Sequence, residues 1–278
     1  MLKQSHLYTF IDPGKKFALY FLEGQKLIHD LVLTHGLQQD SFAYFRSTVL
    51  SIQLIMGLLK HGEYFCYYID SESPYFRLKI EMNTLGLMRG MIYADNLGPA
   101  SDKISGQVRL VKFHPNAEMP YQSTISLTDV GINEILNQVL SKSYQVKSRV
   151  FVSEKSDQSF MLHQLPLSSN EEPSDLNEAF SNYITPIKEI MSKGITDQLS
   201  IIKAFKKIKF KFLARQPVEF KCGCSKKQMI DNVKKYANSG DDDLFTPDKK
   251  DIEVICEYCK TKYRITERDI RETSTDYH

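Results

Sequence analysis

Tyr64-Phe65-Cys66-Tyr67-Tyr68-Ile69-Asp70 and, past Pro74, Phe76, Leu78 and Ile80 set the fold class, because Tyr64, Cys66 and Tyr68 alternate and the second run repeats the same period of two. Alternation at that period is the pattern of strands in which successive side chains face opposite ways. Val108, Leu110 and Phe113 continue it, so several antiparallel strands are expected. Upstream the period differs. Phe17 to Leu22 is a short apolar run suited to a strand, and Leu27, Ile28, Leu31 and Val32 follow at helical spacing. A longer helix, capped by Ser41, would carry Phe42, Phe45, Val49, Ile52, Leu54, Ile55, Leu58 and Leu59 into the core.

Downstream, Ile132, Ile135, Leu136, Val139 and Leu140 restore the helical period, while Val146 to Val152 and Phe160 to Leu165 return to strand. The first unit is therefore expected to be α+β. The polar stretch Ser168-Ser169-Asn170-Glu171-Glu172-Pro173-Ser174 marks its end. A helix capped by Ser174 should run to Gly194 with a kink or break at Pro186. A second, capped by Thr196, is amphipathic and basic, with Ile201, Ile202, Phe205 and Ile208 on one face and Lys203, Lys206 and Lys207 elsewhere.

The chain has 278 residues, 42% hydrophobic and 25% charged, enough for a substantial core and a smaller appended unit. A net charge of +2 gives no global case for nucleic acid or a membrane. There is no long apolar run and no signal-peptide pattern at Met1-Leu2-Lys3-Gln4-Ser5-His6, so a cytoplasmic location is expected.

Of five cysteines, four form Cys222-Gly223-Cys224 and Cys256-Glu257-Tyr258-Cys259, with residues 225–255 between them. Two thiol pairs from separate segments supply the four soft, tetrahedral donors that Zn²⁺ takes in a structural site, so one zinc ion held by these four residues is expected. A closed site of that kind has no position for water or substrate and argues against zinc hydrolysis. Its binding free energy is folding free energy, so losing the metal should unfold the domain. Thiolates are also the form that peroxide or hypochlorous acid attacks, and each close pair carries a partner thiol. Lys221, Lys226, Lys227, Lys260, Lys262 and Arg264 lie near in sequence and are expected to offset the site's charge. The acidic run Asp241-Asp242-Asp243 reads as an exposed loop, and Cys66, in its aromatic run, as a buried structural thiol.

The segments Val218-Glu219-Phe220-Lys221-Cys222-Gly223-Cys224-Ser225 and Ile252-Glu253-Val254-Ile255-Cys256-Glu257-Tyr258-Cys259, with Tyr263, resemble the C-terminal zinc domain of the heat shock protein 33 family. Met88-Arg89-Gly90 and Tyr121-Gln122-Ser123 fall where that family has Arg-Gly and Tyr-Gln elements, and the size and order of segments agree along nearly the whole chain. Where the family has a glycine-rich turn before a proline, this chain has Ser71-Glu72-Ser73-Pro74, which implies local remodelling of the core.

The resemblance implies a redox-regulated, ATP-independent holdase chaperone in three parts: an α+β core (1–167), a metastable helical linker (168–217) and a zinc-binding redox switch (218–278). It implies disulfides between Cys222 and Cys224 and between Cys256 and Cys259 on oxidation, with loss of zinc and unfolding of switch and linker. Unfolding client proteins are then the partners, with a homodimer in the oxidised state. Client contact is placed on the linker at Phe180, Tyr183, Ile184, Ile187, Ile201, Ile202, Phe205, Ile208, Phe210 and Phe212.

No enzyme is expected: G-x-S-x-G, H-E-x-x-H, G-x-x-x-x-G-K-[ST] and G-x-G-x-x-G are all absent. Glu63 and Asp70 are read as solvated surface acids, and none of the seven histidines lies beside the cysteine pairs. The alternative reading is a ribosome- or tRNA-associated zinc protein whose basic side chains contact phosphates.

Overall fold

The computed structural model describes residues 2–37, 39–94, 101, 103–166, 175–237, 244–245 and 250–272. The chain divides into two compact units, Met1–Phe220 and Lys221–His278. The Ser168–Ser174 boundary and the Asp241–Asp243 loop lie outside the described residues.

In the first unit, β1 (Ser5–Ile11) and β2 (Phe17–Glu23) form a hairpin. Its turn is tied by Asp12, whose carboxylate accepts from the backbone N–H groups of Gly14, Lys16 and Phe17. Helices α1 (Gln25–His35) and α2 (Gln39–Ile52) follow, the latter continued by a tight turn, Gln53–Leu58. Five strands come next, β3 (Tyr64–Ser73), β4 (Tyr75–Asn83), β5 (Leu87–Tyr93), β6 (Lys103–Phe113) and β7 (Tyr121–Gly131), with β6 crossing back past β4 to pair with β3. Then come α3 (Ile132–Val139), β8 (Ser148–Val152), β9 (Gln158–Gln164), α4 (Leu176–Ser192), α5 (Gln198–Lys207) and β10 (Lys211–Phe220).

The ten strands share one sheet in the order β7-β6-β3-β4-β5-β10-β1-β2-β9-β8. β10 joins its halves: it pairs antiparallel with β1 from Ser5↔Val218 to Ile11↔Lys211, and parallel with β5 only through Glu219↔Leu87 and Phe220↔Met88. At that seam Gly86, with φ of +83°, lies so close to the chain that an added Cβ would stand 1.8 Å from the Pro217 carbonyl oxygen. Glu219 N–H also donates to the Gly86 carbonyl there. Gly86→Ala should therefore cost about 2–4 kcal/mol in chemical unfolding, since both the backbone angle and the contact exclude a side chain.

Two apolar layers sandwich the sheet. On one face α1, α2, the Gln53–Leu58 turn and α3 bury Leu31, Phe45, Val49, Ile55 and Leu136 against Phe65, Tyr67, Ile69, Leu78 and Leu110. On the other, α4 and α5 bury Phe180, Ile187, Ile190, Ile201 and Phe205 against Tyr8, Phe10, Leu19, Phe21, Phe160 and Leu162 of β1, β2 and β9. Gln158 Nε2 donates to the Ile195 carbonyl between the two helices, and Arg149 lies 5.1 Å over the Phe180 ring.

The α+β expectation holds, with corrections in detail. The core side of β3 is Phe65, Tyr67 and Ile69; Cys66 is half-buried on the opposite face, opposite Glu81 and Val111. Aromatic residues occupy both faces of that run, so alternation alone does not say which is inward. Ser41 lies inside α2, which starts earlier. α4 runs through Pro186 without a break and is capped by Asp175; α5 is capped by Asp197, one residue after Thr196. In both, a carboxylate takes the exposed N–H groups, favourably placed at the positive end of the helix dipole. Glu63 is buried, with Lys60 N–H donating to it and Lys112 at 3.4 Å. At Ser71-Glu72-Ser73-Pro74 the β3–β4 hairpin closes tightly, with Glu72 opposite Tyr75.

Glu23 ends β2 below the α4–α5 connection, in a cavity of about 300 Å³ lined with Arg46, Asp157, Gln158, Gly194 and Thr196. Arg46 is held by Asp157 at 2.6 Å. Burial pushes the Glu23 carboxyl up to about 7 from its ordinary 4.5, with Asp157 adding to the shift and the Gln25 N–H opposing it. Between those values the folded chain keeps a proton that the unfolded chain has released, so stability falls as pH rises; below 4.5 and above 7 the group contributes no slope. At about 1.4 kcal/mol per unit, the loss across the window is on the order of 3 kcal/mol. Glu23→Gln should flatten that part of the stability profile, measured by urea unfolding at pH 5 and pH 8; an unchanged slope would contradict the assignment.

Candidate metal centre

The second unit is built on a hairpin of β11 (Asp251–Ile255) and β12 (Lys262–Thr266), with α6 (Lys226–Ala237) before it and α7 (Glu267–Glu272) after it. Among the described residues its buried apolar core is Met229, Ile230, Val233 and Ile265 with Cys256, and Leu244, Ile252, Val254, Tyr258, Tyr263 and Ile270 pack partly buried against it. Both helices begin with reciprocal caps. Ser225 and Gln228 exchange side-chain to backbone hydrogen bonds at the start of α6, and Thr266 and Asp269 do so at the start of α7. Such boxes contribute about 1 kcal/mol each and fix where a helix begins. The first thereby sets Cys224 immediately ahead of α6.

Cys256 and Cys259 sit in the β11–β12 turn. Cys256 N–H donates to the Thr261 carbonyl, Lys260 N–H donates to the Cys256 carbonyl, and Lys260 takes a left-handed φ of +57° to close the loop. The four sulfurs converge within 4.8 Å of one another. Cys222 Sγ is 3.7 Å from Cys256 Sγ and Cys224 Sγ is 3.3 Å from Cys259 Sγ, and none of the four is in a disulfide. Sulfurs about 2.3 Å from one ion at tetrahedral angles would stand about 3.8 Å apart, so the donor set fits a single soft cation.

Polar neighbours act on the sulfurs. Tyr263 Oη is 3.0 Å from Cys224 Sγ, and Thr261 Oγ1 is 3.2 Å from Cys259 Sγ. Burial raises the Cys224 thiol, with the Tyr263 hydroxyl pulling the other way. Cys259 is also penalised by burial, but its hydrogen bonds with the side chain and backbone of Thr261, and the neighbouring sulfurs, outweigh this and hold it at about 7. The bond to Cys224 pushes the Tyr263 hydroxyl up to about 12. The sequence offered no signal for Thr261; its role comes from the turn geometry.

The basic side chains expected to offset the site are mostly engaged by carboxylates instead. Lys226 pairs with Asp269, Lys260 with Glu257, Lys262 with Glu253, and Arg264 with Asp251. β11 and β12 place acids and bases on facing strands, an alternation not visible from the cysteines alone.

In the first unit, Phe180, Ile187, Ile201, Phe205 and Phe210 are buried in the α4–α5 layer, and Tyr183, Ile184, Ile208 and Phe212 are partly buried against it. Ile202 is half-buried on α5 and takes no part in that layer's core. Among the described residues, no helix is long and apolar enough to cross a membrane.

The family described as Hsp33 protein matches residues 5–266. A 33 kDa chaperonin of Levilactobacillus brevis is 23% identical over 291 residues, covering 98% of each chain. One from Streptococcus equi subsp. zooepidemicus is 27% identical over 289 residues, covering 97% of this chain and 98% of its own. The solved 33 kDa chaperonin (heat shock protein 33 homolog) of Thermotoga maritima shares the fold, with a TM-score of 0.70 over 97% of each chain at 15% identity. With the match spanning nearly its whole length and four cysteines gathered in its C-terminal unit, the chain belongs to the Hsp33 family.

Proposed function

We propose that this protein is a redox-regulated, ATP-independent holdase chaperone whose switch is the Cys222, Cys224, Cys256 and Cys259 cluster. The observation that carries the reading is the convergence of those four sulfurs in a unit whose described residues fully bury few apolar side chains. A bound Zn²⁺ would supply a cross-link between the segment before α6 and the β11–β12 turn, on the order of the 10–16 kcal/mol seen in small zinc peptides. The four thiolates then hold the unit folded while the chain is reduced.

Oxidation removes the donors. Cys222 with Cys224, and Cys256 with Cys259, each form one S–S bond as their two thiolates give two electrons to the oxidant; peroxide takes up two protons and leaves as two waters, and hypochlorous acid takes up one and leaves as chloride and water. Disulfide sulfurs no longer hold the metal, and the small unit loses its main source of stability. In the proposed division, residues 1–167 are the core, 168–217 the linker and 218–278 the switch. Release of the linker uncovers Phe180, Ile187, Ile201 and Phe205 together with the sheet face beneath them, an apolar surface suited to unfolding chains and to self-association. We place the protein in the cytoplasm, where a reducing poise keeps the thiols available.

Zinc release followed with a chromogenic chelator during peroxide treatment, with suppression of aggregation of a heat-unfolded client measured in parallel, tests the reading. The two should rise together and reverse together on reduction. Metal loss without any gain in holdase activity would leave the cluster purely structural and overturn the proposal.

A further inference from the structure

The two outer edges of the ten-stranded sheet are finished differently. At β8, five residues long, the side chain of Asn137 closes the edge: Val150 N–H donates to Asn137 Oδ1 at 2.8 Å, and Asn137 Nδ2 donates to the Val150 carbonyl at 3.4 Å. The strand also carries Arg149. These are devices that keep an edge from pairing with another chain.

β7, at the other end, has none of them over Tyr121-Gln122-Ser123-Thr124-Ile125-Ser126-Leu127. That run is uncharged and free of proline. Its only irregularity lies beyond it, at the bulge opposite Ile104/Gly106 and at Asp129, whose φ is +51°. Among the described residues β6 is its only strand partner, and no side chain bonds to the other edge of this run. Large apolar side chains stand exposed at its beginning: Met119 is 81% and Tyr121 45% exposed, and Tyr64 and Phe113, on the two strands inward, stack at 5.1 Å.

The geometry points to β7 as a strand-addition site, where an extended, uncharged segment of a non-native polypeptide pairs with the outer edge of Tyr121–Leu127. This rests on the chaperone reading above and adds a second mode of contact to it. Main-chain hydrogen bonds are indifferent to the client's side chains, as a binder of many sequences requires, while Met119 and the stacked Tyr64 and Phe113 offer apolar anchorage beside Tyr121, whose hydroxyl is held by Ser143 at 2.9 Å. A second copy of the chain fits less well. Seven residues with Gln122, Thr124 and Ser126 on the exposed face supply no strong register signal, and far less than the roughly 1,000 Å² that a stable interface buries.

The test uses the full-length oxidised protein and, as probe, reduced carboxymethylated α-lactalbumin, which stays unfolded. Amide exchange across Tyr121–Leu127 should slow by about ten-fold or more on adding the probe. The double variant Thr124→Lys and Ser126→Lys, both exposed positions, should bind the probe about ten-fold more weakly while releasing metal on oxidation as the parent does. Probe binding with unchanged exchange in β7 overturns strand addition and leaves the chaperone reading intact. Absence of probe binding to the oxidised parent, whose β7 exchange is then unaltered, overturns the chaperone reading itself. Slow exchange without probe, with a doubled mass by light scattering, assigns the edge to a second copy and overturns the proposal.

Discussion

Cys256→Ser is expected to abolish stoichiometric zinc binding and leave residues 221–278 without a stable fold, with the linker at 168–217 loosened as in the oxidised form while the core at 1–167 keeps a melting transition. Cys256 is the most enclosed of the four thiols, 4% exposed and set among Met229, Ile230, Val233 and Ile265. Serine keeps the backbone bonds to Thr261 and Lys260 but exchanges a soft thiolate for a hard hydroxyl that zinc does not favour. What remains among the described residues is a few buried apolar side chains and two helix caps worth about 1 kcal/mol each, far short of the roughly 10 kcal/mol that a zinc ion in a four-thiolate site would supply. Elemental analysis together with limited proteolysis would show it: near-zero zinc, with cleavage in the C-terminal unit and the linker and none in the core. Cys66→Ser, in the other unit, should retain full zinc content. Retained metal and protease resistance in the Cys256 variant would sink the ligand assignment.

Phe205→Ala should have the largest effect in the first unit. Phe205 is fully buried at the centre of the α4–α5 layer, 4.5 Å from Phe10, 4.9 Å from Phe21 and 6.4 Å from Phe210 by ring centroids. Removing a buried phenyl ring costs about 3–5 kcal/mol, part transfer and part cavity. That loss falls on the contact by which α5 holds to β1 and β2, so partial release of the helix should precede global unfolding. The reduced variant should bind a hydrophobic dye and suppress client aggregation without oxidant. Full destabilisation with no holdase activity in the reduced state would show that these residues serve only the core.

Strands β3, β4 and β6 and helices α1 to α5 are legible in the sequence because each keeps its period, whereas β5 and β7, with Gly90 in one and Gln122, Ser123 and Thr124 in the other, carry no clear apolar alternation. Position along the chain was harder to read. Ser41 and Thr196 are good capping types, yet the helix ends are decided by tertiary contacts: Asp197, which caps α5, is also ion-paired with Lys3 at 3.1 Å. Pro186 is tolerated inside α4 because the helix is held by its buried face, Ile187, Ile190 and Met191, rather than by its own ladder alone. Cys66 was misplaced since its neighbours are aromatic on both sides of the strand. β10, whose residues run from exposed to buried with little alternation, is strand because β1 offers it an edge. The cysteine cluster, by contrast, was visible at once, since few arrangements besides a metal site need two close thiol pairs. What the spacing could not show was the hydroxyl pair, Thr261 and Tyr263, set against two of the sulfurs.

The place of β10 between β1 and β5 has a consequence for biogenesis. Its residues are the last of the sheet to be synthesised, yet Ser5 is paired with Val218. At about 5–20 residues per second, a nascent chain carries β1 and β5 for many seconds before the strand that joins them leaves the ribosome. Until then each half of the sheet presents an unpaired inner edge, and the join must be made across a long loop closure. Slow translation after residue 164, or truncation before residue 211, should therefore yield half-sheets that stick to one another rather than a smaller folded protein.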